Sequence, residues 1–598
     1  MNGVFVERTA LIVAKICLWA VPFFVLYVPS SLVFPFVTGR HIAFRLLVDC
    51  AALAWGALLC VNRAYRPRWT PQVIALTALV LVVSVAAVLS PNPLRALFGD
   101  FERMGGLAGL LHYYVYFLLL LHLFRARDWS IFLGIFIAVG SVVALLGLLE
   151  KGGVVGLLYP VGGVRVHSTM GNASYLASYL LFLVWSTALL LVHFRRNIVY
   201  VVGLVILLTV YLSVIYFTAT RSVLLGVIIG CAVLLCIGLF FVREKIDRRF
   251  IYAAYGLLAA GGLLLLGAVV FRDVLVASDI TALSRILDFS RNTSGEDTIG
   301  TRFMIWPMAL EGIAERPLLG WGPENFYLVF QKYYDPGLFG KEHWFDAAHN
   351  AALDWMLNAG LLGLLAYGAV WWVALRSLYR GVRCAAINIP QAMFIFALLV
   401  GYFTYIQFQF GTFNTECAFF ALLAWIDRAT VQKPDSSHDP TLERRGVVPV
   451  QVLVLLVWGG LAGYYLSAVP LLQAHTLIDV NKKMFQSLTN GTPPLDEVRR
   501  DFAWVIQLEQ KSNADVVREE LSTRLDDVIN SSHYSDEEKG RFAAFTLDQA
   551  RAAVDGPAPN TKHHLMLSAV LYVLGEPFEA QAVEADRKST RLNSSHQI

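Results

Sequence analysis

The sequence predicts an all-α integral membrane bundle crossing the bilayer twelve or thirteen times, with a large outer loop and a small soluble α-helical domain at the C-terminal side. Three observations lead there. Hydrophobic residues make up 57% of the chain and charged residues only 15%, against about 25% charged in soluble proteins. Mean hydropathy is +0.59. Apolar runs of spanning length recur up to about residue 470, and the rest is amphipathic.

A helix needs about 20 mostly apolar residues to cross the hydrocarbon core, and thirteen runs approach or meet that length. They are Leu11–Val28, Ala43–Cys60, Val73–Leu89, Leu107–Phe124, Ile131–Leu149, Tyr175–Val192, Ile198–Phe217, Ser222–Val242 and Ile251–Phe271. After a long polar stretch come Asn350–Leu375, Ala392–Phe410, Thr412–Ile426 and Val447–Leu466. The first run lacks a small-residue cleavage pattern and is followed by many like it, so it reads as a span and not as a signal peptide.

Orientation follows from the cations, because short cytoplasmic loops carry the excess of Lys and Arg. Alternate loops hold Arg63, Arg66 and Arg68; Arg125 and Arg127; Arg195 and Arg196; Arg243 to Arg249; Arg376, Arg380 and Arg383; and Arg428 to Arg445. That set is expected in the cytoplasm, which puts the N-terminus inside, the segment from Arg272 to Ala348 outside, and the C-terminal domain outside. The expected division is spans one to nine over 1–271, the outer loop over 272–349, spans ten to thirteen over 350–470 and a helical domain over 471–586. Residues 587–598 resemble translated adapter sequence and are expected to be a non-native tail, with the natural C-terminus missing.

Past Pro470 the helical periodicity marks Leu495–Gln510, Asp515–Ser531, Ser535–Asp555 and Thr561–Gly575. The last two, broken at Gly556–Asn560, are similar to a tetratricopeptide unit, although such stacks need about three repeats to bury a core. This domain is the natural place for a protein partner.

The 48 Lys plus Arg against 44 Asp plus Glu exclude a globally basic nucleic-acid binder. Signatures of P-loop nucleotidases, zinc proteases, serine hydrolases and dinucleotide-binding proteins are absent, so no cofactor is expected. None of the seven cysteines has metal-ligand spacing.

Polar phrases gather at the expected outer helix ends. They are Phe98-Gly-Asp-Phe-Glu-Arg-Met-Gly-Gly106, His167-Ser-Thr-Met-Gly-Asn-Ala-Ser-Tyr-Leu-Ala177 and Thr218-Ala-Thr-Arg-Ser222. The long loop adds Gly300-Thr-Arg-Phe-Met-Ile-Trp306, Arg316-Pro-Leu-Leu-Gly-Trp-Gly-Pro-Glu-Asn-Phe326 and Phe345-Asp-Ala-Ala-His-Asn350. Together they resemble the O-antigen ligase and polymerase superfamily of membrane glycosyltransferases. The most specific part is the series Arg302-x-x-x-Trp306, Pro317-x-x-Gly-x-Gly322 and His349-Asn350. The resemblance implies transfer of a glycan from an undecaprenyl-pyrophosphate carrier to an acceptor hydroxyl on the outer face of a bacterial inner membrane. By motif it implies pyrophosphate binding by Arg221 and Arg302 and a basic or acceptor-activating role for His349. Around them Arg40, Glu102, Arg103, Asn172, Asp346 and Asn350 are the expected substrate-binding residues.

Physical chemistry suits those roles. A lipid pyrophosphate carries its charge at headgroup level, where guanidinium forks match phosphate geometry and stabilise the charge that develops on the leaving group. Removing a proton from an alcohol suits an imidazole titrating near neutrality, and Asp346, three residues before His349, is placed to hold its other nitrogen.

Plainer readings stand beside these. Arg221 is readable as an arginine that simply snorkels to the interface. His349 is readable as an interfacial loop histidine, Arg45 and Asp49 as a mutually neutralising pair four residues apart, Gly320 and Gly322 as a tight turn, and Trp371-Trp372 as an interface anchor. Asp100-x-Glu102 is readable as an acidic metal pair, but a metal-free site is expected, because the family carries Asn at the position of Asp100 and uses the Glu-Arg pair that follows. Gly411 departs from the family, which carries Asp there, and that leaves the role of a carboxylate at this edge in question. The acceptor is a lipid A core sugar, a glycan repeat or a protein hydroxyl, with the ligase reading placed first. The alternative from another class is a transporter of the same lipid-linked glycan, and a third is an inert membrane part serving as a scaffold.

Overall fold

The structure, a computed structural model, describes residues 3–154, 165–241, 299–338, 344–430, 457, 459–508, 514–556, 561–575 and 578–594. The described residues form helices and loops with no strand. The first half contains α1 (Gly3–Ala20), α2 (Thr38–Val61), α3 (Pro71–Val88), a short α4 (Pro93–Phe98), α5 (Leu107–Leu123), α6 (Ala126–Lys151), α7 (Ala173–His193), α8 (Ile198–Thr218) and α9 (Arg221–Phe241). Then come α10 (Ile299–Glu315), α11 (Phe326–Lys332), α12 (Ala351–Arg383), α13 (Ile389–Ile406) and α14 (Phe413–Thr430).

Among the described residues nine helices are long and apolar enough to cross a membrane. This is a multi-pass membrane protein. α5 is as apolar but only 17 residues long, and α14 carries Glu416, Asp427 and Arg428, so these two expected runs are helices that stand outside the nine. The expected span Ile251–Phe271, and most of Val447–Leu466, lie outside the described residues.

Sequence chemistry sets the helix starts. Thr70 accepts a bond from the Val73 amide ahead of Pro71, and Asn388 forms a reciprocal cap with Gln391 ahead of Pro390, so the first-turn amides that lack helical partners are satisfied. α5 is the hub of the bundle. It packs against α2, α3 and α14, and Tyr116, Phe117, Leu119 and Leu120 on it are fully buried. α9 and α13 cross closely because Gly226 and Gly401 face each other: a Cβ on either would meet the other's carbonyl oxygen, at 2.6 and 2.9 Å.

One end of the bundle gathers the basic turns that follow α2, α5, α7 and α12. Lys15 pairs with Asp128 there at 2.7 Å, and Asn62 donates to Glu7 at 3.2 Å. Inside the bundle, Arg45 and Asp49 make no direct ion pair along α2 and take hydrogen-bond partners on other segments. Arg45 donates to the carbonyls of Met104 and Leu466, at 3.2 and 3.3 Å. Asp49 takes His112 at 3.2 Å and the Ser467 hydroxyl at 2.9 Å. Both groups face neighbouring helices, and cross-helix partners satisfy them better than a contact along one helix surface. The two tryptophans also divide: Trp371 is buried among Tyr402 and Phe419, while Trp372 is exposed.

The C-terminal unit holds α15 (Val469–Asn490), α16 (Leu495–Gln507), α17 (Ala514–Thr523), α18 (Leu525–Asn530), α19 (Asp536–Val554), α20 (Thr561–Leu574) and α21 (Glu579–Ser594). Its core is its own, built from Leu477, Met484, Phe502, Leu521, Phe542 and Leu571 among others. Each expected stretch is present, but the second is interrupted at Arg524 into α17 and α18. α21 continues into the residues expected to stand outside the fold; its buried members, Ala582 and Ala585, precede that tail.

Candidate active site

At the end opposite the basic turns, four loops distant in sequence converge: 99–106 before α5, 316–325 between α10 and α11, 344–350 before α12, and 407–412 between α13 and α14. Each is held by a specific contact. The Trp306 indole donates to the Ala348 carbonyl at 3.1 Å, which fastens the His349 segment to α10. Asn350 caps α12 through the Ala352 and Leu353 amides, at 3.0 and 3.1 Å, and its amide group donates to the Gln407 carbonyl at 3.1 Å. Glu324 accepts from the Gly105 amide at 2.7 Å, and its own carbonyl takes Arg95 at 3.0 Å.

The glycines of the 316–325 loop do more than turn the chain. Gly320 and Gly360 both have φ +66°. A Cβ on Gly320 would collide with the Leu357 carbonyl, and one on Gly360 with the backbone of Leu318. Across that contact Trp321 N–H reaches the Leu357 carbonyl at 2.6 Å and Leu361 N–H reaches the Pro317 carbonyl at 2.7 Å. The loop is spliced into a break in α12, whose helical dihedrals fail at Gly360.

The central contact is a guanidinium fork. Arg103 donates through Nε and Nη2 to the two carboxylate oxygens of Asp346, and its Cζ lies 3.8 Å from the centre of the Phe410 ring. Asp346 was expected to hold His349; the fork takes its oxygens instead, because a planar two-pronged donor matches a carboxylate better than one imidazole nitrogen does. Burial opposes charge on Asp346, but Arg103, through charge and hydrogen bonds, and the nearby His349 outweigh it and hold the carboxyl below its usual range. Asp100 serves the same loop, accepting from the Arg103 amide at 2.9 Å and from the Arg95 guanidinium at 2.6 Å.

A cavity of about 250 Å³ opens beneath this fork. Five carboxyl groups line it with Arg103: Glu102, Glu324, Asp346, Asp354 and Glu416. Burial, then Asp346 and Asp100, raise the carboxyl of Glu102 above its ordinary value. Burial and Asp100 raise Glu324 as well, and its Oε2 is buried with no hydrogen-bond partner among the described residues. Among the described residues no group of three or more His, Cys, Asp or Glu is arranged to hold a metal ion.

His349 has φ +55°, a region unusual for a residue with a side chain. Its Nδ1 lies 3.1 Å from the Ala347 carbonyl, and its ring sits edge-on to Phe410 and Phe345 with centroids 5.2 and 5.7 Å apart. A proton on Nδ1 directed at that carbonyl leaves Nε2 as the basic nitrogen. Arg302 is buried on α10, one turn before Trp306 and so on the same face as the contact to Ala348.

The other expected residues lie elsewhere. Arg221 opens α9 beside the Thr218–Thr220 turn, which Arg165 holds by bonds to the Thr218 carbonyl and the Thr220 hydroxyl, at 2.8 and 3.1 Å. Asn172 caps α7 through the Ser174 amide at 2.8 Å. Arg40 is buried, donating to the carbonyls of Val25 (2.9 Å), Tyr27 (3.1 Å) and Thr169, a bridge between the α1–α2 and α6–α7 connections. Arg221, Arg302, Arg40, Asn172, His349 and Asn350 are not among the described residues lining the cavity, although Asp346, Ala347 and Ala351 around His349 are. The structure thus brings Arg103, Glu102 and Asp346 together in the cavity lining, with the His349–Asn350 segment beside them.

Sequence reasoning missed Glu324, Asp354 and Glu416. Glu324 and Asp354 stand inside phrases already singled out or at the mouth of α12, where acidic residues are common. Glu416 carried no signal in the sequence. A Cβ at Gly411 would collide with its carboxylate, so the glycine that seemed to remove a carboxyl from this edge makes room for one, held by the Tyr402 hydroxyl at 3.1 Å.

Residues 204–368 match the family described as O-antigen ligase. The matched stretch contains Arg221, Arg302, Glu324, Asp346 and His349, and it supports a membrane glycan-processing enzyme of the ligase and polymerase superfamily. No curated protein matches the chain.

Proposed function

We propose that this chain transfers a glycan from undecaprenyl diphosphate to an acceptor hydroxyl at the outer face of a bacterial inner membrane, in the manner of a ligase. The observation that carries the proposal is the cavity under the Arg103–Asp346 fork, assembled from four loops at one end of the bundle and bordered by the His349 segment. A carboxyl-rich pocket with aromatic edges suits sugar hydroxyls, which donate to such oxygens. We read Arg221 and Arg302, which do not line it, as the cations that meet a diphosphate joined to the glycan.

In the reaction the acceptor oxygen attacks the anomeric carbon. The bond from that carbon to the diphosphate oxygen breaks, and its electron pair leaves with the diphosphate. His349 accepts the hydroxyl proton on Nε2. Arg221 and Arg302 meet the negative charge that grows on the leaving group. Arg103 fixes Asp346 and so the loop that carries His349.

A transport role would need polar groups continuing through the bundle. Reconstitution into vesicles with an oligosaccharide on undecaprenyl diphosphate, supplied with lipid A core, a second repeat unit or a hydroxyl-bearing protein, tests the reading and separates ligase from polymerase and protein oligosaccharyltransferase. Product is expected with lipid A core. Donor crossing the bilayer with no product on any acceptor would favour a transporter.

A further inference from the structure

The C-terminal unit is seated on the loop that carries the site. The backbone amide of Thr561, the first residue of α20, donates to the Gln331 side chain on α11 at 3.0 Å, so a helix-start amide that needs a partner finds one on the membrane part. α21 packs against α11. Within the unit, His563 meets Asp515 at 3.1 Å and fastens α20 to α17.

This seating puts one cation at the cavity's border. Lys562 holds its ammonium 4.5 Å from the centre of the Trp344 ring, and Trp344 stands two residues before Asp346. Trp344 in turn stacks on Tyr327, centroids 6.2 Å apart, with Arg95 4.7 Å from the Tyr327 ring. The charge of Lys562 also reaches Glu102 on the cavity wall. Its contact within the unit, Glu519 at 3.9 Å, is a long one between half-exposed groups and contributes little. Lys562 therefore keeps ammonium donors open to solvent beside Trp344.

We propose that the C-terminal unit is part of the transfer site and that Lys562 is a positioning residue for the glycan, offering its ammonium to sugar hydroxyls or a sugar carboxylate along the edge of Trp344, opposite the acceptors on Glu102. This rests on the transfer reading above. Sugar hydroxyls both accept and donate, and Lys562 and Glu102 supply one donor group and one acceptor group for them.

The test uses the full chain in vesicles with the undecaprenyl-linked oligosaccharide and its best acceptor, comparing the parent with Lys562→Ala and Lys562→Arg and recording the unfolding midpoint of each. Lys562→Ala is expected to raise KM for one of the two glycans about tenfold at unchanged kcat, the scale of a lost hydrogen bond from a charged donor. Its unfolding midpoint should match the parent's, and Lys562→Arg should restore most of the loss. An unchanged KM in Lys562→Ala, a fall in kcat alone, or a lowered midpoint overturns this role while leaving the transfer reading intact. Absence of transfer by the parent overturns both.

Discussion

Arg103 reaches across 243 residues of sequence to close both arms of its guanidinium on Asp346. The two groups come from loops before α5 and before α12, and Phe410 from a third loop lies against the cation. One contact therefore sets the distance between three of the four loops that build the cavity.

Removing one partner of a buried ion pair costs about 3–5 kcal/mol, because the other charge is left without compensation. Asp346→Asn and Arg103→Met are each expected to lower the unfolding midpoint in detergent, and the double variant is expected to lose less than the sum of the two. Additive losses in calorimetry would show that the fork does not couple the loops.

Acid should act on the same contact. The Asp346 carboxyl is held below its ordinary value by Arg103 against the effect of burial. A depressed value in the folded state means stability present above the unfolded value of about 3.9, and lost only as pH falls through the lower folded value. The parent should keep this contribution at pH 5, and the difference in stability between parent and Asp346→Asn should shrink only below about pH 4. A difference that vanishes by pH 6 contradicts the assignment.

Glu324 should behave in the opposite sense. Burial, with Asp100 beside it, raises its carboxyl, so the folded state binds the proton more tightly than the unfolded state and stability falls as pH rises above about 4.3. Glu324→Gln keeps an acceptor for the Gly105 amide and removes the ionisation. The variant should be more stable than the parent at alkaline pH, with the advantage fading in acid, as read from unfolding midpoints between pH 4 and 9.

The splice between Gly320 and Gly360 gives a steric prediction. Both residues have positive φ, and a Cβ on either runs into the backbone of the other loop. Gly360→Ala and Gly320→Ala are each expected to cost at least about 1–3 kcal/mol, and to reduce transfer although neither residue lines the cavity. Gly368→Ala on the same helix, where a Cβ meets nothing within 4 Å, should leave both unchanged.

The membrane helices were legible because hydropathy writes them directly, and described helices match eleven of the expected runs. The C-terminal helices were legible from their amphipathic period, down to within a few residues at most ends. The site was legible only in part. Motif order marked Arg103, Asp346 and His349, but partner choice is a matter of three dimensions. Asp346 stands three residues from His349 in sequence and is held by an arginine from another loop. Arg40 and Arg45 looked alike as charged groups near the membrane, yet both spend their donors on carbonyls of neighbouring segments. Glu416 was hidden because the space it fills belongs, in sequence, to a glycine five residues earlier.

The most direct measurement is the rate of glycan transfer in vesicles by the parent, His349→Ala and Arg302→Ala, each shown to be inserted and folded. With the proton acceptor or the charge stabiliser removed, the rate should fall by a factor of about a hundred or more. Equal rates in all three proteins would contradict the account.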